Sequence, residues 1–193
     1  MSTQACHLFG GAIVCTLPTS YEDISVYRTV PDHQEVYVDK TSNTSVIVEI
    51  LSRQDVSDAS APQFFFDDLV EFNRAKASEV YYSKVDVSSS CIPSIDASKS
   101  RCLLIGRQEV EKDHRLDNVL VFMVLLRLPE KETDILITMN SALDSAAISL
   151  SPSALSSPDA IFSSTPEPSL AHNEQVFKEV VTSFKIQDWG LFC

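Results

Sequence analysis

The chain has 193 residues and a mass of 21.4 kDa, and 44% of its residues are hydrophobic, enough for one domain with a real core and too many for global disorder. A formal net charge of -12 and a pI near 4.6 repel phosphate backbones and anionic lipid, which argues against nucleic-acid and membrane-surface partners. No apolar run approaches the roughly 20 residues of a membrane helix, and "MSTQACHLFGG" lacks the basic and long apolar regions of a signal peptide. Five cysteines, an odd number with no C-x-x-C pair, fit a reducing compartment and a nucleocytoplasmic protein.

In chain order, "AIVCTLP" (Ala12 to Pro18) predicts a first strand, entered through Gly10-Gly11 and closed by Pro18. "SYEDISVYRTV" predicts a short helix with Ser20 as N-cap and Ile24, Tyr27 and Val30 inward, stopped by Pro31. "EVYVD" alternates, with Val36 and Val38 on one face and Glu35, Tyr37 and Asp39 on the other. "SVIVEIL" follows across a short polar turn as its hairpin partner. "APQFFFDDLVEFNRAKA" predicts a helix whose Phe65, Leu69 and Phe72 form a core stripe. Residues 83–100 are Ser-rich and non-periodic, a loop. "RCLLIGRQEV", "NVLVFMVLLRL" and "ETDILITMN" predict three strands, the second apolar enough to be covered on both faces. Residues 141–170, rich in Ser and Pro, predict a mobile insertion, and "NEQVFKEVVTSF" predicts a final amphipathic helix. The Ser/Thr-Pro pairs at Ser151, Ser157 and Thr165 are common in any such stretch and are read as incidental.

Chemistry by side chains finds little support. His7, His33, His114 and His172 are scattered, with no metal-ligand spacing. There is no G-x-S-x-G elbow, and Gly10-Gly11 lacks the lysine of a phosphate loop. Asp67 and Asp68 are adjacent on a helix, about 100° apart, and do not form a dyad. Neither a catalytic residue, a metal nor a cofactor is expected, and binding is the better class. Between Tyr21 and Phe72 eleven Asp and Glu stand against three Lys and Arg, a bias that suits a basic protein partner and that a solvated face explains equally well.

"LFGGAI", "DISVYRTVPDHQEVYV", "GRQEVEK" (Gly106 to Lys112), "LLRL" with "TDILITMN", and the closing "LF" occur in order, and together they resemble the Mog-type Ran guanine-nucleotide release factors. The resemblance covers residues 8–140 and 174–192, and its most specific part is the Pro-Asp-x-Gln-Glu run. It implies an α/β fold of the α+β type: a twisted, mainly antiparallel sheet with helices on both faces, shared with the PsbP proteins. It also implies a partner, the Ran GTPase, whose bound nucleotide such proteins help to release, and hence a place in the nucleus and cytoplasm. Carried over by position, the partner-binding cluster falls on Asp23, Arg28, Pro31, Asp32, Gln34 and Glu35, with Glu49 on the neighbouring strand. Where some relatives carry a further acid, this chain has Ser52. Three expectations follow: a monomer that neither binds nucleic acid nor inserts in a membrane, a rigid corner at Pro31 displaying Asp32 and Glu35, and no enzymatic activity. The competing reading is a PsbP-like scaffold for another basic partner or for the cytoplasmic region of a membrane protein.

Overall fold

The computed structural model describes residues 2–42, 44–96, 98–112, 115–143 and 171–192. Strands β1 (Thr3–Leu8) and β2 (Ile13–Pro18) form a hairpin, which β10 (Lys185–Ile186) extends beyond β2 into a three-stranded sheet. The main sheet has seven strands: β3 (Tyr21–Asp23), β4 (Gln34–Asp39), β5 (Ser45–Ser52), β6 (Ala77–Lys84), β7 (Ser100–Lys112), β8 (Arg115–Leu128) and β9 (Thr133–Leu143). Its order is β3-β4-β5-β9-β8-β7-β6, and every neighbouring pair is antiparallel. Helix α1 (Ala61–Phe72) lies on one face, and α2 (Ala171–Ser183) with the small sheet lies on the other.

Alternation along the strands sorts the core. Leu103, Ile105, Leu120, Phe122 and Val124 face Val176, Phe177, Val180 and Val181 of α2. Cys102, Leu104, Val121, Met123 and Leu125 face Ala61, Phe65 and Phe66 of α1. The continuous apolar run of β8 is thus explained, because each of its faces is covered. The approach of α1 needs Gly106, where an added Cβ would stand 2.6 Å from Phe66 Cζ.

A buried arginine sets where α1 begins. Arg127 on β8 is fully buried, and its Nε donates to Asp134 Oδ1 on β9 at 3.1 Å. Nη1 donates to Val56 O and Asp58 Oδ1, and Nη2 to Gln54 O, while Asp134 Oδ2 accepts the Gln54 N–H at 2.9 Å. One guanidinium therefore fastens the segment between β5 and α1. Pro62 sits in the first turn of α1, where a missing N–H costs no intrahelical bond. The helix ends on Arg74 at φ 52°, with Arg74 N–H donating to Glu71 O and Ala75 N–H to Val70 O, the paired bonds of a Schellman stop.

Four sequence expectations change. The helix expected after Ser20 is instead strand β3 and one 3-10 turn, Ile24–Val26, because Tyr21 is 1% exposed and pairs with Asp39 on β4. Val26 and Tyr27 are exposed, so no inner face exists, and Pro31 stops no helix. Phe72 is 81% exposed, and Phe66 takes the place in the core that the stripe gave it. Residues 83, 84 and 100 belong to strands, and the loop between them is anchored by buried Val87, Cys91, Ile92 and Ile95. Residues 141–143 belong to β9, and the rest of the expected insertion, with its three Ser/Thr-Pro pairs, lies outside the described residues. Strands β1 and β6 have no counterpart in the sequence reading.

Candidate functional site

The corner between β3 and β4 begins with Asp23, whose Oδ1 accepts the Ser25 N–H at 2.7 Å and so caps the 3-10 turn. Arg28, Pro31, Asp32 and His33 follow and are exposed. The Pro31 carbonyl accepts the Gln34 N–H at 2.9 Å, closing a four-residue turn that starts β4. Pro31 opens this turn and its ring fixes only its own φ, so Asp32 stands at the tip directly after a restrained link.

From Gln34 onward the pleat divides the predicted cluster. Gln34 points to the α1 face, where Glu49 is its partner on β5, and Gln34 Nε2 donates to Glu49 Oε1 at 2.5 Å. Glu35 points to the other face, and its Oε1 accepts the Phe9 N–H at 2.6 Å. Phe9, Gly10 and Gly11 all have positive φ (50°, 67° and 94°), so "LFGG" makes a left-handed turn whose first N–H is held by Glu35. Gly10 and Gly11 are needed there for that conformation. The shared display of Asp32 and Glu35 at one corner does not occur: they are three residues apart, but one is at an exposed tip and the other is half-buried behind β4.

The structure thus brings Arg28, Pro31, Gln34 and Glu49 together, and separates Asp23 and Glu35 from them. The first group lines a cleft of about 480 Å³ on the α1 face. Val36, Ile47, Leu51, Leu136, Thr138 and Asn140 complete its floor, and Asp68, Leu69, Phe72 and Asn73 form the wall. The cleft exists because one helix, about 10–12 Å wide, covers only two or three strands spaced about 4.8 Å apart. Helix α1 packs over β7 and β8, and the β4–β5 end of the sheet stays open. Asp68, Phe72 and Asn73 were not expected at a site. The exposed Phe72 had a signal only in lying at the end of its helix.

Asp23 belongs to a second, more open hollow of about 510 Å³, lined by Cys6, His7, Tyr21, Val26, Tyr27 and Tyr37 among others. Burial raises the pKa of both Glu35 and Glu49 above 4.5, against the hydrogen bonds from Phe9 and Gln34. In Glu49 the approach of Asp68 adds to the rise and His33 opposes it. Among the described residues no group of three or more His, Cys, Asp or Glu is arranged to hold a metal ion. No helix is long and apolar enough to cross a membrane among the same residues.

The geometry is thus an exposed acid just after a proline, beside a half-apolar cleft with the Glu49 carboxylate in its lining. Comparison with known proteins gives it a context. The family model described as "Ran-interacting Mog1 protein" matches residues 6–142. A probable Ran guanine nucleotide release factor of Dictyostelium discoideum is 34% identical over 189 residues, covering 96% of this chain and 94% of the relative. The nuclear import protein MOG1 of Saccharomyces cerevisiae is 27% identical over 206 residues, covering 100% and 86%. The crystal structure of the Saccharomyces cerevisiae Ran-binding protein Mog1p superposes with a TM-score of 0.72 at 26% identity, with both chains fully covered. With that match and that extent of identity, the chain belongs to the Ran-interacting Mog1 family.

Proposed function

We infer that the chain binds the small GTPase Ran and promotes release of its bound guanine nucleotide, serving nuclear import, and that it does so as a monomer by binding alone. The observation that carries this reading is the 34% identity, over 96% of the chain, to a relative named as a probable Ran guanine nucleotide release factor. The family's own description and the yeast relative's name point the same way. A protein working on Ran in this role is placed in the nucleus and cytoplasm.

The geometry supports binding at the β3–β4 corner. Asp32 is exposed on a turn restrained by Pro31, so little ordering entropy is lost on contact. Arg28, Gln34 and Glu49 lie beside it along the open end of the sheet. Asp23 and Glu35 serve the same surface from behind, by capping its turn and by holding the "LFGG" turn against β4. The net charge of -12 steers a basic partner face toward this surface. The test is release of a fluorescent guanine nucleotide from purified Ran, with free phosphate followed in parallel. Faster release without added phosphate is expected. Phosphate appearing in step with release would assign GTPase activation instead, and no change in either would overturn the reading.

A further inference from the structure

We propose that Cys6 and Cys15, opposed across the β1–β2 hairpin, form a reversible oxidation site at which hydrogen peroxide converts the two thiols to a cross-strand disulfide. The site does not depend on the function inferred above.

Cys6 on β1 pairs in register with Cys15 on β2, so both side chains point to one face of the hairpin, where they are 4% and 3% exposed. Directly opposed residues of an antiparallel pair have Cα atoms about 4.5–5.5 Å apart, inside the roughly 4.4–6.8 Å that a disulfide spans. The hairpin therefore holds two thiols where a bond can close without moving the backbone. They already interact, because the Cys15 thiol donates a hydrogen bond to the Cys6 sulfur. The Tyr37 hydroxyl and the Leu17 N–H donate to the same sulfur. A cysteine used only as a small apolar filler has no such set of donors.

The two thiols are unequal. The bond from Cys15, with those from Tyr37 and Leu17, favours the Cys6 thiolate and holds its pKa below the ordinary value, against burial and the nearby Asp23. Cys15 is pushed the other way, by donating to Cys6 and by burial. Access has the same asymmetry: Cys6 lines the open hollow of about 510 Å³, and Cys15 takes no part in its lining.

The chemistry runs from Cys6 to Cys15. The Cys6 thiolate attacks one peroxide oxygen and the O–O bond breaks; the departing hydroxide takes up a proton as water and leaves Cys6 a sulfenic acid. The Cys15 sulfur then attacks the Cys6 sulfur, the S–O bond breaks, and the Cys15 proton leaves with the hydroxyl as a second water. Two thiols have lost two electrons and peroxide has taken them. In a reducing compartment glutathione returns the pair by thiol–disulfide exchange, so the bond is transient.

The experiment treats the reduced full-length protein with hydrogen peroxide at neutral pH, blocks remaining thiols with N-ethylmaleimide, and maps tryptic peptides by mass spectrometry. The first Lys or Arg is Arg28, so one peptide carries both cysteines. That peptide should lose two hydrogens and escape alkylation, and dithiothreitol before blocking should restore both thiols. In Cys15→Ala, dimedone should label Cys6 as a sulfenic acid at least about tenfold faster than Cys102, whose pKa burial raises. In Cys6→Ala, Cys15 should remain a thiol. Two intact thiols in the wild-type peptide, while glutathione in the same solution is oxidised, overturn the proposal whatever the variants do. A disulfide from either residue to Cys91, Cys102 or Cys193 also overturns it, as does oxidation of Cys6 to a sulfinic acid with Cys15 left reduced.

Discussion

Gln34 and Glu49 stand directly opposite each other on β4 and β5, and the Gln34 amide holds the Glu49 carboxylate at 2.5 Å. The hydrogen bond fixes the direction of the acid, but burial dominates its titration and lifts its pKa above 4.5. The folded protein therefore holds a proton on Glu49 more tightly than the unfolded chain does. Stability from this group is fully present below the unfolded pKa and is lost as pH rises through the folded value. Glu35, also raised by burial, has the same sign. Replacing Glu49 by Gln removes the ionisable group and keeps its shape. The melting temperature of Glu49→Gln relative to the parent should be higher at pH 7 than at pH 4, as read by thermal denaturation at both. A difference that is constant with pH would mean that Glu49 ionises as freely in the fold as in the open chain.

Asp32 and Glu35 should behave as different kinds of residue, although three positions apart. Glu35→Ala leaves the Phe9 N–H without its acceptor at a turn that already holds a positive φ, and should cost about 1–3 kcal/mol in denaturant unfolding. Asp32→Lys, at an exposed tip, should stay within about 0.5 kcal/mol of the parent in stability and still weaken Ran binding. Equal stability losses in the two variants would show that the corner is not divided as the pleat divides it.

Gly106 opens one of the sequence blocks by which the family is recognisable, yet its role is packing. A methyl group there would overlap Phe66 and approach the Glu79 carbonyl at 2.9 Å, so Gly106→Ala should cost about 1–3 kcal/mol. Arg127 and Asp134, in the blocks "LLRL" and "TDILITMN", are structural in the same way. Removing the Asp134 carboxylate would leave a fully buried guanidinium with one acceptor fewer, at about 3–5 kcal/mol. Urea titration of Gly106→Ala and Asp134→Ala checks both. Neither should change Ran affinity while the fold is intact.

These residues show what periodicity can and cannot reveal. The β4–β5 hairpin, the doubly covered β8 and the final helix were legible because each is a clean pattern of period two or 3.6, or an unbroken apolar run. Strand β1 was not, because only Cys6 and Leu8 of its six residues are buried, and β6 has no fully buried residue at all. Ser20 to Val30 reads as a short helix locally, but pairing of Tyr21–Asp23 with β4 overrides the local preference. The site was legible as a list of residues and not as a shape. Pro31 and Asp32 identify a turn from sequence, whereas Phe72 reaches the cleft only because α1 leaves one end of the sheet bare. That depends on where the helix docks, which Arg127 sets from a distant strand.

The action on Ran carries a thermodynamic obligation. A GTPase grips its nucleotide through Mg²⁺, a P-loop lysine and backbone amides, so affinity falls steeply when those groups are drawn away or a switch segment is displaced. On the function proposed above, a carboxylate presented at the Asp32 corner would supply either route without any bond being cleaved. Whichever route operates, nucleotide and this protein bind Ran with a shared coupling free energy. If the protein lowers Ran's affinity for nucleotide a hundredfold, saturating nucleotide must lower Ran's affinity for the protein a hundredfold, a coupling of about 2.7 kcal/mol. Titrating the protein into nucleotide-free and nucleotide-saturated Ran by calorimetry measures one side, and nucleotide titration with and without the protein measures the other. The two ratios should agree, and both affinities for the protein should fall as salt rises, because the contact is made by charge. Faster nucleotide release with no change in either equilibrium ratio would mean that only the release barrier is lowered, and the displaced-grip account of this family's action on Ran would be wrong.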